Sequence, residues 1–262
     1  MSALAELFPD GDHRFHLTLR HSEPREFFTP RDETGKILVE RARWLSEAPN
    51  RHAALTPEGQ PLLAEFAEAI AEWGLAPGRA MLTELSAVLE PDFLFLSPDE
   101  AGAFRLRGGA LCFPTGWALE EKMGHTLDFI HGVVPGLNLA LGSPISLFLA
   151  RLKPGPAFIR DNWGLAATAE LNLHPSRAVA PPALPIALDR LWLRVEHQAL
   201  FGLPSTRGIV VAIRIALHRL DEVVRDTAAA TGLRRALESM PEALADYKRL
   251  AAIRSELIAR LK

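Results

Sequence analysis

The chain has one cysteine, Cys112, and one tyrosine, Tyr247. A single cysteine excludes an intrachain disulfide, a Cys-rich zinc centre and an iron–sulfur cluster on the usual set of thiolates. Lysine is scarce too: Lys36, Lys122, Lys153, Lys248 and Lys262 are the five, and arginine supplies the rest of the 29 basic residues. Against 32 acidic residues the balance is −3, so no basic field gathers nucleic acid. Neither Gly-x-Gly-x-x-Gly nor Gly-x-x-x-x-Gly-Lys-Ser/Thr occurs, which removes the two usual phosphate cradles for NAD, FAD or ATP. His-Glu-x-x-His and Gly-x-Ser-x-Gly are missing as well. Long apolar runs are absent: the most apolar stretch, 136–150, is shorter than a bilayer span and carries Pro144. The N-terminal residues show no basic segment followed by an apolar one, so no signal peptide is read and a cytoplasmic protein is expected.

What remains is an ordinary globular composition, 48% hydrophobic and 23% charged over 262 residues, enough for a sizeable core. The first 90 residues read as helical. Ile37, Leu38, Ala42 and Leu45 recur at helical spacing. Thr56-Pro57 opens a helix carrying Leu62, Leu63, Phe66, Ile70 and Trp73, which ends at Gly74. A shorter helix after Pro77 runs through Met81, Leu82, Leu85 and Leu89. His13, His16 and His21 read as surface histidines.

Residues 93–96 and 104–113 then predict a β-hairpin, with turns at 97–100 and at Gly108-Gly109. The stretch 117–130 predicts one or two helices, 137–152 another, and 158–173 an extended segment. The Pro-rich run 180–187 is a loop. Two strands, 191–197 and 209–215, follow, and 219–262 is helical with Leu233, Leu237, Leu244, Leu250, Ile253 and Leu257 in its apolar stripe. Strands grouped in hairpins between helices predict an α+β fold rather than a doubly wound one. The chain divides as a helical extension (1–90), a sheet-bearing core (91–218) and C-terminal helices (219–262) of a single domain.

Two stretches place costly residues in apolar surroundings. His131 lies between Phe129-Ile130 and Val133-Val134 at a helix end. An imidazole in such a wall either ligates iron or interacts with the helix C-terminus, and composition alone favours the second. Arg194, Glu196 and Gln198 share one face of a strand, with Arg214 on its partner. They either line a pocket or form an exposed cross-strand ion pair. Arg160-Asp161-Asn162-Trp163 poses the same choice.

Taken together, Cys112-Phe-Pro-Thr-Gly-Trp117, Glu121-Lys122-Met-Gly124, Ile130-His131-x-Val-Val-Pro135-Gly136, Asp161-Asn162-Trp163, Leu193-Arg-Val-Glu196-His-Gln198, Leu203-Pro204 and Ile213-Arg214 resemble the DUF3445 family, related to the α subunit of haem-dependent oxidative N-demethylase. The resemblance runs through about 100–220. It implies a PAS-like antiparallel sheet flanked by helices and holding haem b. It implies His131 as iron ligand, with Cys112 as the rival, and Arg194 and Arg214 as partners of haem propionates or of the distal pocket. Trp117 and Trp163 join the cofactor-binding set, and Glu196 and Asp161 attract an ammonium substrate. The implied reaction uses O₂ to demethylate a small secondary amine such as dimethylamine. Electrons then come from a separate flavin or iron–sulfur reductase subunit. A haem-binding gas or redox sensor is the alternative, kept open by C-terminal helices suited to a dimer interface; a PAS-like module without haem is a third. Where relatives often read Arg-Val-Glu-Arg-Gln-Thr and Ile-Arg-Thr-Tyr, this chain has His197 and Ala199, then Ile215 and Ala216.

Overall fold

A computed structural model describes residues 4–77 and 81–261. Seven antiparallel strands form one sheet in the order β1-β5-β6-β7-β3-β4-β2. They are β1 (Arg20–Ser22), β2 (Ala53–Leu55), β3 (Asp92–Pro98), β4 (Phe104–Ala110), β5 (Ala157–Ala166), β6 (Trp192–Gly202) and β7 (Ile209–Arg219). The helices are α1 (Pro24–Phe28), α2 (Lys36–Glu47), α3 (Pro49–His52), α4 (Gln60–Glu72), α5 (Leu82–Val88), α6 (Leu127–His131), α7 (Leu137–Arg151), α8 (Leu220–Val223), α9 (Thr227–Ser239), α10 (Glu242–Tyr247) and α11 (Arg254–Arg260). The α+β expectation holds. So do both hairpins, the helices expected over 34–45 and 137–152, and the helical C-terminus.

Three local readings change. The N-terminal third is not wholly helical, because β1 and β2 close the two edges of the sheet. Each is three residues long, too short to show a period-two pattern. Second, 117–130 is mostly turns, with helix only at α6. Third, Gly108 and Gly109 lie inside β4 instead of forming a turn. A Cβ on Gly109 would sit 2.1 Å from the Phe93 carbonyl oxygen, and its φ of 138° disfavours other residues. The glycines permit close strand approach; the hairpin turn lies at 99–103, where Asp99 accepts the N–H groups of Ala101 and Ala103. The helix after Pro77 occupies 82–88, and residues 78–80 lie outside the described ones.

Pairing in register sorts every sheet residue onto one of two faces. With the long central strand β6 as reference, its odd-numbered residues Leu193, Val195, Ala199 and Phe201 face α1, α4 and the C-terminal helices. Its even-numbered face, continued by Ile209, Ile213, Leu94, Leu96 and Leu106, packs against α7, Leu111 and Leu119. The odd face is thus closed by helices at both ends. The even face is covered by α6, α7 and the segment 111–123.

That segment is anchored at its start by a buried carboxylate. Asp92 accepts the backbone N–H groups of Cys112 (2.7 Å) and Phe113 (2.9 Å), and pairs with Arg41 Nη1 of α2 at 2.5 Å. Both side chains of this ion pair are fully buried. Removing one partner of such a pair leaves the other charge buried alone, which costs about 3–5 kcal/mol. Asp92→Ala is therefore expected to lower the unfolding free energy by that amount, read as a lower urea midpoint at unchanged slope. A loss below about 1 kcal/mol would show that the pair is not an anchor.

Candidate active site

His131 is the last residue of α6, a helix whose N-cap Thr126 accepts the Phe129 N–H at 3.3 Å. The next turn is fixed by Val134 N–H bonding the His131 carbonyl (2.9 Å) and by Gly136 in the left-handed region, where α7 begins. The imidazole is half-buried. Burial, and then the positive charge of Arg160, hold its pKa below the ordinary 6.5, with Asp128 opposing. The ring is therefore neutral at neutral pH, and among the described residues it makes no hydrogen bond. A neutral imidazole with a free nitrogen is the form that binds iron.

Arg160 is paired in register with Gln198, so it stands on the even face. It is half-buried and, among the described residues, makes no hydrogen bond; burial lowers its pKa while the charges of Glu196 and Asp161 raise it. Beside it, Asn162 and Gln198 donate to the same oxygen of Glu196, Oε2, at 3.2 and 3.1 Å. Among the described residues Glu196 Oε1 receives no hydrogen bond, which leaves a carboxylate oxygen for a cationic group. Trp117 packs on the same face with Leu94, Leu106 and Ile213. His16 from the N-terminal segment also approaches Arg160, and its pKa is lowered by burial and by that charge. At the open edge of β5, Lys248 donates from Nζ to the Trp163 carbonyl (2.7 Å), and burial pushes this amine down to about 8.

The even face thus brings together His131, Arg160, Asn162, Glu196, Gln198 and Trp117. The other expected residues lie elsewhere or are already engaged. Asp161 and Arg214 share the odd face, each in register with His197. Asp161 is held by His197 Nδ1 and Arg20, both at 2.6 Å, and these two groups lower its pKa against the cost of burial. Arg214 pairs with Glu90 at 2.5 Å and donates to the carbonyls of Phe27 and Thr29. Trp163 is also on the odd face, packed edge-on against Phe8 with centroids 5.2 Å apart.

Arg194 is on the even face, but its guanidinium points into the protein. It donates to Thr115 Oγ1 (2.8 Å) and to the carbonyls of Phe113 (2.9 Å) and Leu171 (2.7 Å), with longer bonds to Pro114 and Glu170. Burial pushes its pKa down to about 10, so it remains charged at neutral pH. Cys112 lies in the segment after β4 and not in a strand. It is fully buried, and burial pushes its thiol up to about 12, far from the thiolate an iron ligand requires.

The sequence raises Arg160 only within the run 160–163, with no role of its own, and His16 reads there as a surface histidine. Arg160 had a signal: it alternates with Asn162 in a strand and therefore falls on the face of Glu196, opposite Asp161. His16 had none, because its position depends on how the N-terminal segment packs across the sheet.

A half-open polar patch on one face of an antiparallel sheet, roofed by a histidine-ended helix, makes this an α+β protein with a candidate site on its sheet. The model of the family described as haem-dependent oxidative N-demethylase, alpha subunit-like, matches residues 67–258. The chain belongs to this family. The matched span holds β3 to β7, α6, α7 and nearly all of the C-terminal helices, hence every even-face residue above except His16. Among the described residues no helix is long and apolar enough to cross a membrane.

The bonds of Arg194 make a direct expectation. Arg194→Lys replaces a planar fork by a point donor that cannot span the 113–115 and 170–171 segments, so about 2–4 kcal/mol of stability is expected to be lost. Cys112, whose burial and raised pKa predict no labelling by a thiol reagent in the native wild type, should become labelled in the folded variant. Unchanged stability together with a protected Cys112 would show that Arg194 does not clamp this segment.

Proposed function

We propose that the chain binds haem b over the even face of the sheet, with His131 as the iron ligand, and uses O₂ to demethylate a small secondary amine such as dimethylamine. One observation carries this reading: a neutral, half-buried imidazole lies near the guanidinium of Arg160, neither hydrogen-bonded among the described residues, in a chain of a haem-dependent family. The donor set fits the group. Haem needs an axial nitrogen and a cation for its carboxylates, and these two side chains offer both. Trp117 and the isoleucines of β7 supply apolar contact for a macrocycle.

Bound there, haem would supply the redox centre for O₂ chemistry. The rest is done by the chain. Glu196, fixed by Asn162 and Gln198, presents Oε1 to a secondary ammonium and sets which end of the substrate points inward. Arg160, with no carboxylate hydrogen-bonded to it, is the propionate partner, a role the family resemblance assigns to Arg194 and Arg214. Those two, with Asp161 and Trp163, are assigned here to holding the sheet and its cover in place. The apolar cover from α7 and Trp117 would shield one side of the site from bulk water.

The PAS-like character of the sheet and a cytoplasmic location belong to the same reading. So does a single domain in which the first 55 residues close the sheet edges. Electrons come from a separate flavin or iron–sulfur subunit, since this chain has one buried cysteine and no nucleotide fingerprint.

The test is spectroscopic and catalytic. Purified protein titrated with haemin is expected to give a Soret band at one equivalent, lost or strongly shifted in His131→Ala and unchanged in Cys112→Ala. With a chemical reductant, O₂ and dimethylamine, the loaded protein should release formaldehyde, and Glu196→Gln should raise KM for the amine. A Soret band indifferent to His131→Ala would remove the ligand assignment. Haem binding without formaldehyde from any of several methylamines would favour a sensor.

A further inference from the structure

On the loop between β5 and β6, away from the polar patch, lies a cluster that haem binding does not use. His174 is 5% exposed and precedes a short 3₁₀ turn, Pro175–Arg177. Its Nδ1 is 2.8 Å from Ser176 Oγ and also accepts the Ser176 backbone N–H at 3.2 Å. Its Nε2 is 3.2 Å from a carboxylate oxygen of Glu120. Arg51, at the end of α3, donates from Nη1 to Ser176 Oγ at 3.1 Å.

Counting donors places the protons. Nδ1 accepts a backbone N–H, so it carries no hydrogen. The ring hydrogen then lies on Nε2, which donates it to Glu120. Ser176 Oγ accepts from Arg51, which leaves its own hydrogen directed at Nδ1. The result is hydroxyl to imidazole to carboxylate, the proton relay of nucleophilic hydrolases, with the two ring nitrogens exchanged relative to the usual orientation. The ring is held rigidly. The His174 N–H donates to Asn172 Oδ1 (2.8 Å), and the imidazole meets His52 edge-on at 5.7 Å. His52 is itself buried and bonded to the Leu111 carbonyl at 2.9 Å. Ser176, by contrast, is exposed and open to solutes.

We propose that Ser176 and His174 form a second, surface site that cleaves small activated esters, with Glu120 as the positioning residue and Arg51 as the cation beside the developing oxyanion. Ser176 Oγ adds to the ester carbonyl carbon while His174 Nδ1 takes the hydroxyl proton. The carbon–oxygen bond to the alcohol breaks, and the departing alkoxide receives that proton. Water, deprotonated by the same nitrogen, then releases the carboxylic acid and restores Ser176. No redox partner or cofactor enters the balance, so the site works with or without haem.

The probes are p-nitrophenyl acetate and diisopropyl fluorophosphate, applied to the full chain at pH 8. The fluorophosphate is expected to add once, with loss of fluoride, and peptide mapping should place it on Ser176. Ser176→Ala, which removes an exposed hydroxyl and leaves the unfolding midpoint in place, should lower ester turnover roughly a hundredfold, toward the buffer rate. Glu120→Gln should lower kcat with KM unchanged, because it acts on the ring and not on the ester. Wild-type hydrolysis no faster than Ser176→Ala, or a label that maps to any other residue, would overturn the assignment.

Discussion

A guanidinium without a carboxylate partner sits at the centre of this fold. Arg194 projects from β6 and, among the described residues, is hydrogen-bonded by neutral oxygens alone: one hydroxyl and a set of carbonyls from two separate covering segments. Five N–H groups in a rigid plane suit this task, and they give buried carbonyls the donors that no strand supplies. Asp92 on β3 performs the complementary task at the start of the cover, offering a carboxylate to the Cys112 and Phe113 N–H groups and to Arg41. Acting together from one face of the sheet, the two side chains hold the cover 112–115 by its N–H groups at 112–113 and its oxygens at 113–115. The distance between sheet and cover, and so the room available to a ligand, depends on them.

Charge is segregated across the sheet. On the odd face, Arg20, Asp161, His197, Arg214 and Glu90 make two groups of ion pairs and hydrogen bonds between the apolar clusters under α4 and under the C-terminal helices. Their groups have partners, so they lend register and cohesion and have little left for a ligand. On the even face the balance is reversed. Arg160 has no hydrogen-bonded partner among the described residues, Glu196 keeps one free oxygen, and His131 keeps both ring nitrogens. Unsatisfied polar groups inside a half-buried wall are costly unless something binds them, which is why this face, and not the more heavily charged one, reads as the site.

Much of this was legible in the chain. The β6–β7 hairpin was readable from β-branched alternation, and α7 from its apolar run between Pro135-Gly136 and Pro154. His131 and Glu196 stood out as polar residues in apolar sequence. What was hidden is non-local. Whether Arg194 or Arg160 turns toward a ligand depends on which carbonyls lie within reach, and those come from residues 113–115 and 170–171, far along the chain. The same holds for Arg214, whose partner Glu90 precedes a different strand. The edge strands were invisible because three residues cannot display a period. Gly108-Gly109 misled because a glycine pair serves a close strand crossing as well as a turn.

On the proposed reading, the even face binds the cofactor while the odd face holds the sheet. Haemin titrations of Arg160→Leu and Arg214→Leu, run beside urea unfolding of the same variants, test it most directly. The account predicts that Arg160→Leu weakens haem binding by about tenfold or more with its unfolding midpoint preserved, whereas Arg214→Leu, which strands the buried Glu90, loses stability. Full haem affinity in a stable Arg160→Leu, with binding lost in a stable Arg214→Leu, would contradict it.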